Sequence, residues 1–334
     1  MKAIVIGLGS MGRRIIRLLK KMNTKLSLVG VDSNQERMRA VAQEFDICCY
    51  NDLEQAITEE NKKSECISVA MICSSPLSHA MLIRKCLTLG LHVFPEINLV
   101  ADGYQENMAL AKEKDCKLFL SSTPVYRAEM RKIKDIVKDR NENADKPVNY
   151  IYHVGQYLPD WHPWEKFDQF FVGDKRTNGC REILAIELPW MVKAFGKITD
   201  IHSFKGKLTD LKIGYPDNYF VYLTHENGSR GVFVIDVVCR EAIRHMEVYN
   251  ESIYIDWNGT PDSLRKKNLE TNEMECILTK EDYEHQDGYS VFINEYAYVK
   301  ELEAFFQYLE EDRQPEYSFE EDLKLLEQID KIEE

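Results

Sequence analysis

A chain of 334 residues is long enough for about two domains of the usual ~100–200 residues. With 44% hydrophobic and 30% charged residues, the composition is that of a globular protein and argues against a disordered chain. The net charge of −13 argues against nucleic acid as a partner, because an acidic surface repels phosphate backbones.

The sequence also argues against export and membrane insertion. The apolar run at residues 3–6 is too short for the apolar region of a secretory signal. No stretch approaches the ~18–20 apolar residues that a membrane helix requires. We therefore expect a cytoplasmic protein with no membrane partner.

The cysteines give no sign of disulfides or of a metal site. There are nine of them, an odd number, and none are spaced as C-x-x-C. This pattern favours reduced cysteines in the protein core, and it predicts no bound metal.

Strand and helix signals alternate over the first ~120 residues. Strands are predicted at residues 3–6, 26–31, 66–73, 92–94 and 117–120. Helices are predicted at residues 11–20, 35–44, 76–89 and 104–114, and Ser33 and Asn34 are the two candidates for the cap of the second helix. The alternation predicts an α/β domain over residues 1–122 with a doubly wound parallel sheet, a Rossmann fold.

Beyond residue 122 the pattern changes to long aromatic-rich segments with period-two alternation. Strands are predicted at residues 148–157, 200–208, 219–224, 232–238, 245–249 and 252–257. Helices are predicted at residues 128–138, 183–195, 292–309 and 319–332. We expect an α+β domain over residues 123–334 with a large, open, mostly antiparallel sheet, and the last helix is a candidate to pack back on the first domain.

A glycine-rich loop lies between the first strand and the first helix. It fits G-x-G-x-x-G, with Gly7, Gly9, Ser10, Met11 and Gly12 as the residues expected to meet a cofactor. The first glycine permits a tight turn, the second lets the backbone approach a pyrophosphate, and the third allows close packing of helix on strand. The helix N-terminus presents N–H groups to the phosphates.

An acidic residue follows at the end of the second strand. Asp32 lies about 20 residues after the loop, where a carboxylate accepts hydrogen bonds from a ribose diol and repels a 2′-phosphate. This predicts NAD(H) as the cofactor, preferred over NADP(H). Arg37 is placed either to stack on adenine or to remain a solvated helix residue. A bare strand–turn–helix without a ligand is the alternative for the whole motif.

The nicotinamide half of the cofactor is expected beside the following strands. Ser74, Ser75 and Pro76 end the third predicted strand, His79 lies in the next helix, and Glu96 follows the fourth strand. Open parallel sheets bind ligands at the carboxyl ends of their strands, so these residues should border that crevice. For His79 the alternative is a capping or packing role.

These features together resemble the glucose–fructose oxidoreductase / inositol dehydrogenase / MocA (Gfo/Idh/MocA) family over nearly the whole chain. Members are usually NAD(P)-dependent dehydrogenases or reductases of sugars, cyclitols and related polyols. Their C-terminal sheet often mediates assembly, so the resemblance implies a polyol or sugar-like substrate and a homodimer or homotetramer formed through that sheet. The resemblance rests on residues 7–12 with Asp32, on Ser75-Pro76-x-x-His79, and on residues 90–96, 195–196 and 321–326.

The sequence departs from the family at its usual catalytic residues. The Glu-Lys-Pro motif falls on residues 96–98, so the lysine that assists proton transfer is replaced by Ile97. The Asp-x-x-x-His-x-x-Asp pattern falls on Glu182, Ile186 and Pro189, so the usual histidine is also replaced. Only a carboxylate, at Glu182, is kept in kind. Any acid/base chemistry therefore needs a different group.

The richest candidate segment for that chemistry covers residues 155–165. His162 titrates near neutral pH and is a candidate acid/base. Tryptophans stack on the apolar faces of sugar rings, and polar groups hydrogen-bond to hydroxyls. The candidate substrate-binding residues are Tyr157, Asp160, Trp161 and Trp164. An aromatic cluster that only fastens a loop to the sheet is the alternative.

The second candidate segment covers residues 175–182 and leads into a helix. Arg181 could orient a carboxylate or phosphate of the substrate, and Glu182 could act as the base. The alternative is an Arg–Glu pair at a helix start.

Three functions remain open on the sequence alone. The first is an NAD-dependent oxidoreductase of a sugar, cyclitol or sugar derivative, with His162 or Glu182 passing the proton and Arg181 orienting the substrate. The second is an NAD(H)-binding regulator or structural protein without turnover, which the losses at Ile97 and Ile186 favour. The third is a redox-neutral sugar-modifying enzyme that oxidises a carbon transiently.

Overall fold

The computed structural model describes residues 1–22, 25–63, 66–139, 141, 146–161, 166–279 and 292–334. The chain divides into two compact units. The first unit comprises Met1–Ser122 and Val299–Leu323. The second unit comprises Thr123–Tyr298 and Lys324–Glu334.

The first unit contains a five-stranded parallel sheet with the strand order β3-β2-β1-β4-β5. Short apolar runs form its strands, and the central strands are almost entirely buried, as expected for a sheet covered on both faces. The prediction of a doubly wound parallel sheet is confirmed. The strands are β1 (Lys2–Ile6), β2 (Ser27–Val31), β3 (Cys48–Tyr50), β4 (Ile67–Ile72) and β5 (His92–Pro95).

Five helices lie within residues 1–122: α1 (Ser10–Lys21), α2 (Gln35–Phe45), α3 (Leu53–Glu60), α4 (Pro76–Thr88) and α5 (Tyr104–Glu113). Helix α1 buries its apolar face, with Ile15 and Ile16 fully inside. Of the two candidate caps of α2, Asn34 is the one used, because its side chain accepts from two backbone N–H groups in the first turn.

Two elements of the first unit differ from the prediction. Strand β3 and helix α3 were not predicted, because β3 has only three residues and lies, half exposed, at the edge of the sheet. The prediction of a full strand at residues 117–120 was wrong. Only a single parallel bridge forms there, between Leu118 and Val93.

The second unit contains an eight-stranded sheet with the order β13-β12-β11-β10-β6-β9-β8-β7. Every neighbouring pair is antiparallel except β6 and β9, which confirms the expected mostly antiparallel sheet. The two strands at the β13 end of the sheet, β12 and β13, were not predicted, because each has only three residues and carries charge. The strands are β6 (Asn149–Gly155), β7 (Ile198–Gly206), β8 (Asn218–His225), β9 (Arg230–Asp236), β10 (Ile243–Tyr249), β11 (Tyr254–Trp257), β12 (Arg265–Lys267) and β13 (Met274–Cys276).

The remaining helices are α6 (Ala128–Lys138), α7 (Gly179–Phe195), α8 (Glu295–Glu311) and α9 (Phe319–Glu333). Helix α7 packs on α6 and on strands β8 and β9. Alternation along β6 sends Tyr150 and Tyr152 towards α7, where Tyr150 stacks on Phe195 at 4.4 Å between ring centroids. The intervening Ile151 points to the opposite, open face of the sheet.

All nine cysteines are free thiols. The expectation that they belong to the core is wrong for Cys48, Cys66 and Cys276, which are exposed because they lie at strand ends and at the sheet edge. Cys86 and Cys180 are buried.

A membrane-spanning helix, one both long enough and apolar enough, is not found in the part of the chain that the structure describes.

Candidate functional site

Two glycines of the loop between β1 and α1 are required by packing. Gly7 has a φ of +92°, and a Cβ there would lie 2.7 Å from the backbone of Cys73. A Cβ on Gly12 would lie 1.9 Å from the carbonyl oxygen of Gly7. Both distances are well inside van der Waals contact, so the strand–loop–helix turn closes only with glycine at these two positions.

The packing does not require glycine at the middle position, Gly9. Gly9 precedes α1 with a φ of −72°, which any residue adopts, and a Cβ there would meet only the Arg37 guanidinium, at 3.9 Å. Its Cα therefore borders a space at the N-terminus of α1, where Ser10 and Met11 form the first turn and are half buried. A helix N-terminus next to such a space fits a pyrophosphate.

Asp32 lies at the carboxyl end of β2 and is buried. Its Oδ2 accepts from the backbone N–H of Leu8 at 2.7 Å, and its Oδ1 accepts from the backbone N–H of Asn34 at 2.8 Å. The carboxylate thus ties the glycine loop to the end of β2. Each oxygen keeps lone pairs, because a carboxylate offers about four acceptor positions, so the hydroxyls of a ribose can still be bound. Arg37 is exposed in the first turn of α2, beside the loop.

His79 is held on both ring nitrogens inside the first unit. Nε2 lies 2.9 Å from the Ser74 carbonyl oxygen, and Nδ1 lies 2.6 Å from the side-chain amide of Asn98. Burial lowers the pKa of His79, so the ring is neutral. A neutral ring has one N–H, and Nε2 uses it to donate to the Ser74 carbonyl oxygen. Nδ1 can then only accept, which assigns the amide nitrogen of Asn98 to this contact by a 180° rotation of the amide group. This arrangement favours the packing alternative for His79.

The loop that His79 supports carries the other two predicted residues of this segment. Ser75 is exposed immediately before α4, and Pro76 is buried as the first residue of that helix. Ser74 Oγ lies 2.7 Å from Ser78 Oγ. The loop is therefore held by His79 on its buried side and exposed to solvent at Ser75.

Glu96 follows β5 and carries a strongly perturbed carboxyl group. Its backbone N–H donates to the Ile72 carbonyl, which places it beside the end of β4. Oε1 is shielded from solvent and has no hydrogen-bond partner among the residues that the structure describes. Burial raises the pKa of Glu96 to about 7, while the positive charge of Arg14 and the Ile97 N–H act in the opposite direction.

In the second unit, Glu182 and Ile186 share one face of α7. They are the half-exposed residues in the first three turns of this otherwise buried helix, and a spacing of four places them one above the other. Glu182 Oε2 is shielded from solvent and has no hydrogen-bond partner within the described part of the chain. Burial raises the pKa of Glu182 to about 8, so this carboxyl group is protonated at neutral pH.

Arg181 points away from that face and is already paired. Its buried guanidinium binds Asp330 at 2.7 Å and Glu333, both in α9. Asn178 caps α7 by accepting from the Arg181 N–H, and its amide also donates to Glu333 at 2.7 Å. Arg181 thus pairs with two carboxylates of α9, which is a different pairing from the one predicted with Glu182. The first turn of α7 is pinned by these contacts.

The aromatic loop that follows β6 lies next to the same turn. A Cβ on Gly179 would meet the Trp161 ring at 3.3 Å, and the Trp161 indole N–H donates to the Gln156 carbonyl at 3.0 Å. Arg240 lies over the Tyr157 ring, 4.1 Å from its centroid, with Nη1 4.0 Å from an Asp160 carboxylate oxygen. His162 and Trp164 lie outside the described residues.

The structure thus groups the predicted residues of each unit. In the first unit it brings the glycine loop, Asp32, Arg37 and the β4 and β5 ends together. In the second it brings Trp161 against Gly179, in the turn that holds Glu182, and it brings Tyr157 and Asp160 together beside Arg240. Sequence reasoning missed Asn98, Arg240, Asp330 and Glu333, whose partners are distant in the sequence. One signal was available, the affinity of a cation for the aromatic rings of the 155–165 segment.

One group of residues has metal-ligand spacing, His245, Glu247 and Asp256, whose ligand atoms lie within 4.8 Å of one another. His245 Nε2 is already hydrogen-bonded to Asp256 at 2.8 Å, and all three are only half buried on the sheet. The expectation of no bound metal stays a prediction.

Comparison with known proteins identifies the family that the first 122 residues match. Residues 1–122 match the sequence model of Gfo/Idh/MocA, described as an oxidoreductase family with an NAD-binding Rossmann fold. The chain carries the NAD-binding domain of the Gfo/Idh/MocA oxidoreductases. The resemblance inferred from the motifs is confirmed, and the glycine loop and Asp32 are the parts of this domain that fit the dinucleotide.

Similar proteins align with nearly the whole chain. A myo-inositol 2-dehydrogenase from Thermotoga maritima is 22% identical over 338 residues, covering 95% of this chain and 91% of the relative. The fold is similar to a UDP-N-acetylglucosamine 3-dehydrogenase from Acidithiobacillus ferrooxidans (TM-score 0.76, 15% identity, 99% and 96% covered). It is also similar to GenD2 from gentamicin A biosynthesis in complex with NAD (TM-score 0.76, 14% identity, 99% and 92% covered).

Proposed function

We propose that this Gfo/Idh/MocA oxidoreductase uses NAD(H) to interconvert a CH–OH group and a carbonyl on a sugar, cyclitol or related polyol. The observation that carries the proposal is the shielded carboxyl group of Glu182, on the helix face where the family places its acid/base pair. The myo-inositol dehydrogenase relative supports the substrate class.

Glu182 would supply the proton that the replaced lysine and histidine no longer can. The bound nicotinamide supplies or accepts the hydride. For carbonyl reduction, the protonated Glu182 donates its proton to the oxygen as the C–H bond forms, and the carboxylate is then reprotonated from solvent. For alcohol oxidation the ionised form accepts the hydroxyl proton. A pKa of about 8 makes the group an acid at neutral pH and a base in mildly alkaline solution.

The loop of Tyr157, Asp160 and Trp161 supports a polyol as the substrate. Aromatic rings offer a flat apolar surface for the C–H face of a sugar ring, and Asp160 and Arg240 offer acceptors and donors for hydroxyls. Arg181 is left out of this role, because its guanidinium is buried against Asp330 and Glu333. His162 remains the second candidate acid/base.

The preference for NAD(H) over NADP(H) rests on Asp32. A buried carboxylate at the end of β2 repels a 2′-phosphate and accepts hydrogen bonds from a 2′-hydroxyl. Arg37 beside Gly9 would instead favour a 2′-phosphate. Titrating NADH and NADPH fluorescence measures the balance between Asp32 and Arg37.

Turnover of a polyol and nucleotide-sugar panel with NAD⁺ tests the function, and the pH dependence of kcat tests the acid/base. We expect Glu182→Gln to lower kcat by about 10²–10⁴, the usual contribution of general acid–base catalysis, and to remove the inflection near pH 8. Glu251→Gln, a change at an exposed carboxylate of the same unit, is the matched control.

His162→Ala belongs in the same experiment. Nearly full turnover in both Glu182→Gln and His162→Ala would sink the assignment of the acid/base. NADH binding without oxidation of any panel compound would instead favour an NAD(H)-binding protein without turnover.

We further propose that the open face of the second unit's sheet pairs with a second copy of this chain. Phe204, Phe220 and Ile151 point to this face and are 73%, 51% and 45% exposed, and Phe204 and Phe220 lie directly opposite in register. Large apolar residues spread over a broad sheet suit a self-complementary interface. Light scattering should give a dimer or tetramer that Phe220→Lys dissociates. A wild-type monomer would contradict the proposal.

A further inference from the structure

Glu96 is a shielded carboxyl group that the proposed reaction does not use. Three elements meet around it: the end of β4 through Cys73, helix α1 through Arg14, and its own loop through the Ile97 N–H. Arg14 is the charged group that faces it, and Cys73 is a thiol whose own pKa is raised by burial and by Glu96. Oε1 has no partner within the described residues, so the carboxyl group has capacity for an external contact.

The position of Glu96 in the sheet indicates what that contact is. In the order β3-β2-β1-β4-β5 the topology reverses between β1 and β4, and a dinucleotide binds across this point at the carboxyl ends of the strands. Asp32 on β2 takes one ribose, and the loop after β1 takes the pyrophosphate. The other half of the cofactor must then run over the ends of β4 and β5, which carry Ser74 and Glu96.

We propose that Glu96 faces the nicotinamide half of the cofactor and releases its proton to solvent when oxidised NAD⁺ binds, but keeps it when NADH binds. The inference rests on the proposed cofactor site. NAD⁺ carries a positive pyridinium ring, which favours the ionised carboxylate beside it, whereas the dihydropyridine ring of NADH is neutral. The O–H bond of the carboxyl group breaks, the proton goes to solvent, and no electrons are exchanged.

The consequence is a pH-dependent choice between the two redox forms of the cofactor. Because burial raises the pKa of free Glu96 to about 7, the group is about half protonated at pH 7. NAD⁺ affinity should increase with pH up to about pH 7 and then level off. NADH affinity should show no such rise.

Isothermal titration calorimetry of the full chain at pH 7, in phosphate and in Tris, measures the protons released on binding. We expect about half a proton per NAD⁺ and close to none per NADH. Glu96→Gln keeps the shape and the neutral form, so it should release no proton with NAD⁺ while NADH affinity, followed by fluorescence, changes less than about threefold.

Glu44→Gln, at an exposed carboxylate of the first unit, is the control and should keep the wild-type proton release, and Glu182→Gln is titrated beside it. Equal release with NAD⁺ and NADH, or unchanged release in Glu96→Gln, would overturn the inference while leaving the cofactor site intact. Release that disappears in Glu182→Gln alone would assign the proton to the other carboxyl group. A wild-type chain that binds neither nucleotide would remove the cofactor site and the inference together.

Discussion

The glycine loop offers a test that separates folding from cofactor binding, through alanine at Gly12 and at Gly9. At Gly12 the new Cβ would lie 1.9 Å from the Gly7 carbonyl oxygen, so backbone must move by more than about 1 Å, since real Cβ contacts begin near 3.0 Å. At Gly9 the new Cβ would meet only a flexible guanidinium at 3.9 Å. Gly12→Ala should therefore destabilise the fold, and Gly9→Ala should not.

The magnitudes follow from the same geometry. Overpacking against backbone costs up to about 3 kcal/mol, and alanine in a helix recovers about 1 kcal/mol, so Gly12→Ala should lose about 2 kcal/mol. For a domain of this size that lowers Tm by about 4–8 °C. Gly9→Ala replaces a helix cap and should cost less than about 1 kcal/mol. Its methyl group fills the space expected for the pyrophosphate, so NADH affinity should fall at least tenfold, or about 1.4 kcal/mol.

Thermal unfolding and NADH fluorescence titration of the two variants and the wild type measure both quantities. A Gly12→Ala protein as stable as the wild type would refute the close packing of α1 on the loop. A Gly9→Ala protein that binds NADH normally would refute the assignment of this space to the pyrophosphate.

Three further predictions follow from single contacts. Asp32→Ala removes the acceptor of two backbone N–H groups, so it should lower the free energy of unfolding in urea by about 1–3 kcal/mol and abolish the NADH over NADPH preference. Arg181→Met leaves two α9 carboxylates without their cation, one of them 60% exposed, so it should lower the free energy of unfolding by about 1–3 kcal/mol. The KM for substrate should change less than about twofold. A large change in KM at unchanged Tm would show that Arg181 binds substrate after all. The pKa of Glu182 is about 8 in the folded state and 4.5 in the unfolded state, so the native state keeps a proton that the unfolded state loses. The free energy of unfolding should therefore decline as pH rises from about 4.5 to 8. Urea midpoints at pH 5 and pH 8 measure this decline, and Glu182→Gln should flatten it.

The sequence predicted those features whose cause is local. The cap at Asn34, the apolar face of α1 and helix α6 each depend on residues a few positions apart, and each is where the pattern placed it. The short strands β3 and β12, both partly exposed, had no apolar run to reveal them. The strand expected at residues 117–120 has the right composition, but forms a single bridge with Val93.

The site shows the same division. The glycine loop and Asp32 could be predicted because their spacing is itself the signal, and Leu8 meets Asp32 within 24 positions. The partners of Arg181 come from about 150 positions away, in α9, and no pattern within residues 175–182 reveals them. The composition of that segment suggested a substrate contact, whereas the fold uses the guanidinium to pin the first turn of α7.

The resemblance places Ile97 and Ile186 where the family has its lysine and histidine, close in the chain to the shielded carboxyl groups of Glu96 and Glu182. Burial is the largest cause of the raised pKa of both carboxyl groups, and for Glu96 it outweighs the positive charge of Arg14. Glu96 adjoins Ile97 in the chain, and Glu182 lies one helical turn from Ile186. The pKa of Glu96 is raised to about 7 and that of Glu182 to about 8. Lysine at position 97 would place a cation beside Glu96 and lower its pKa, so Ile97→Lys is expected to abolish the proton release on NAD⁺ binding while Ile97→Leu preserves it.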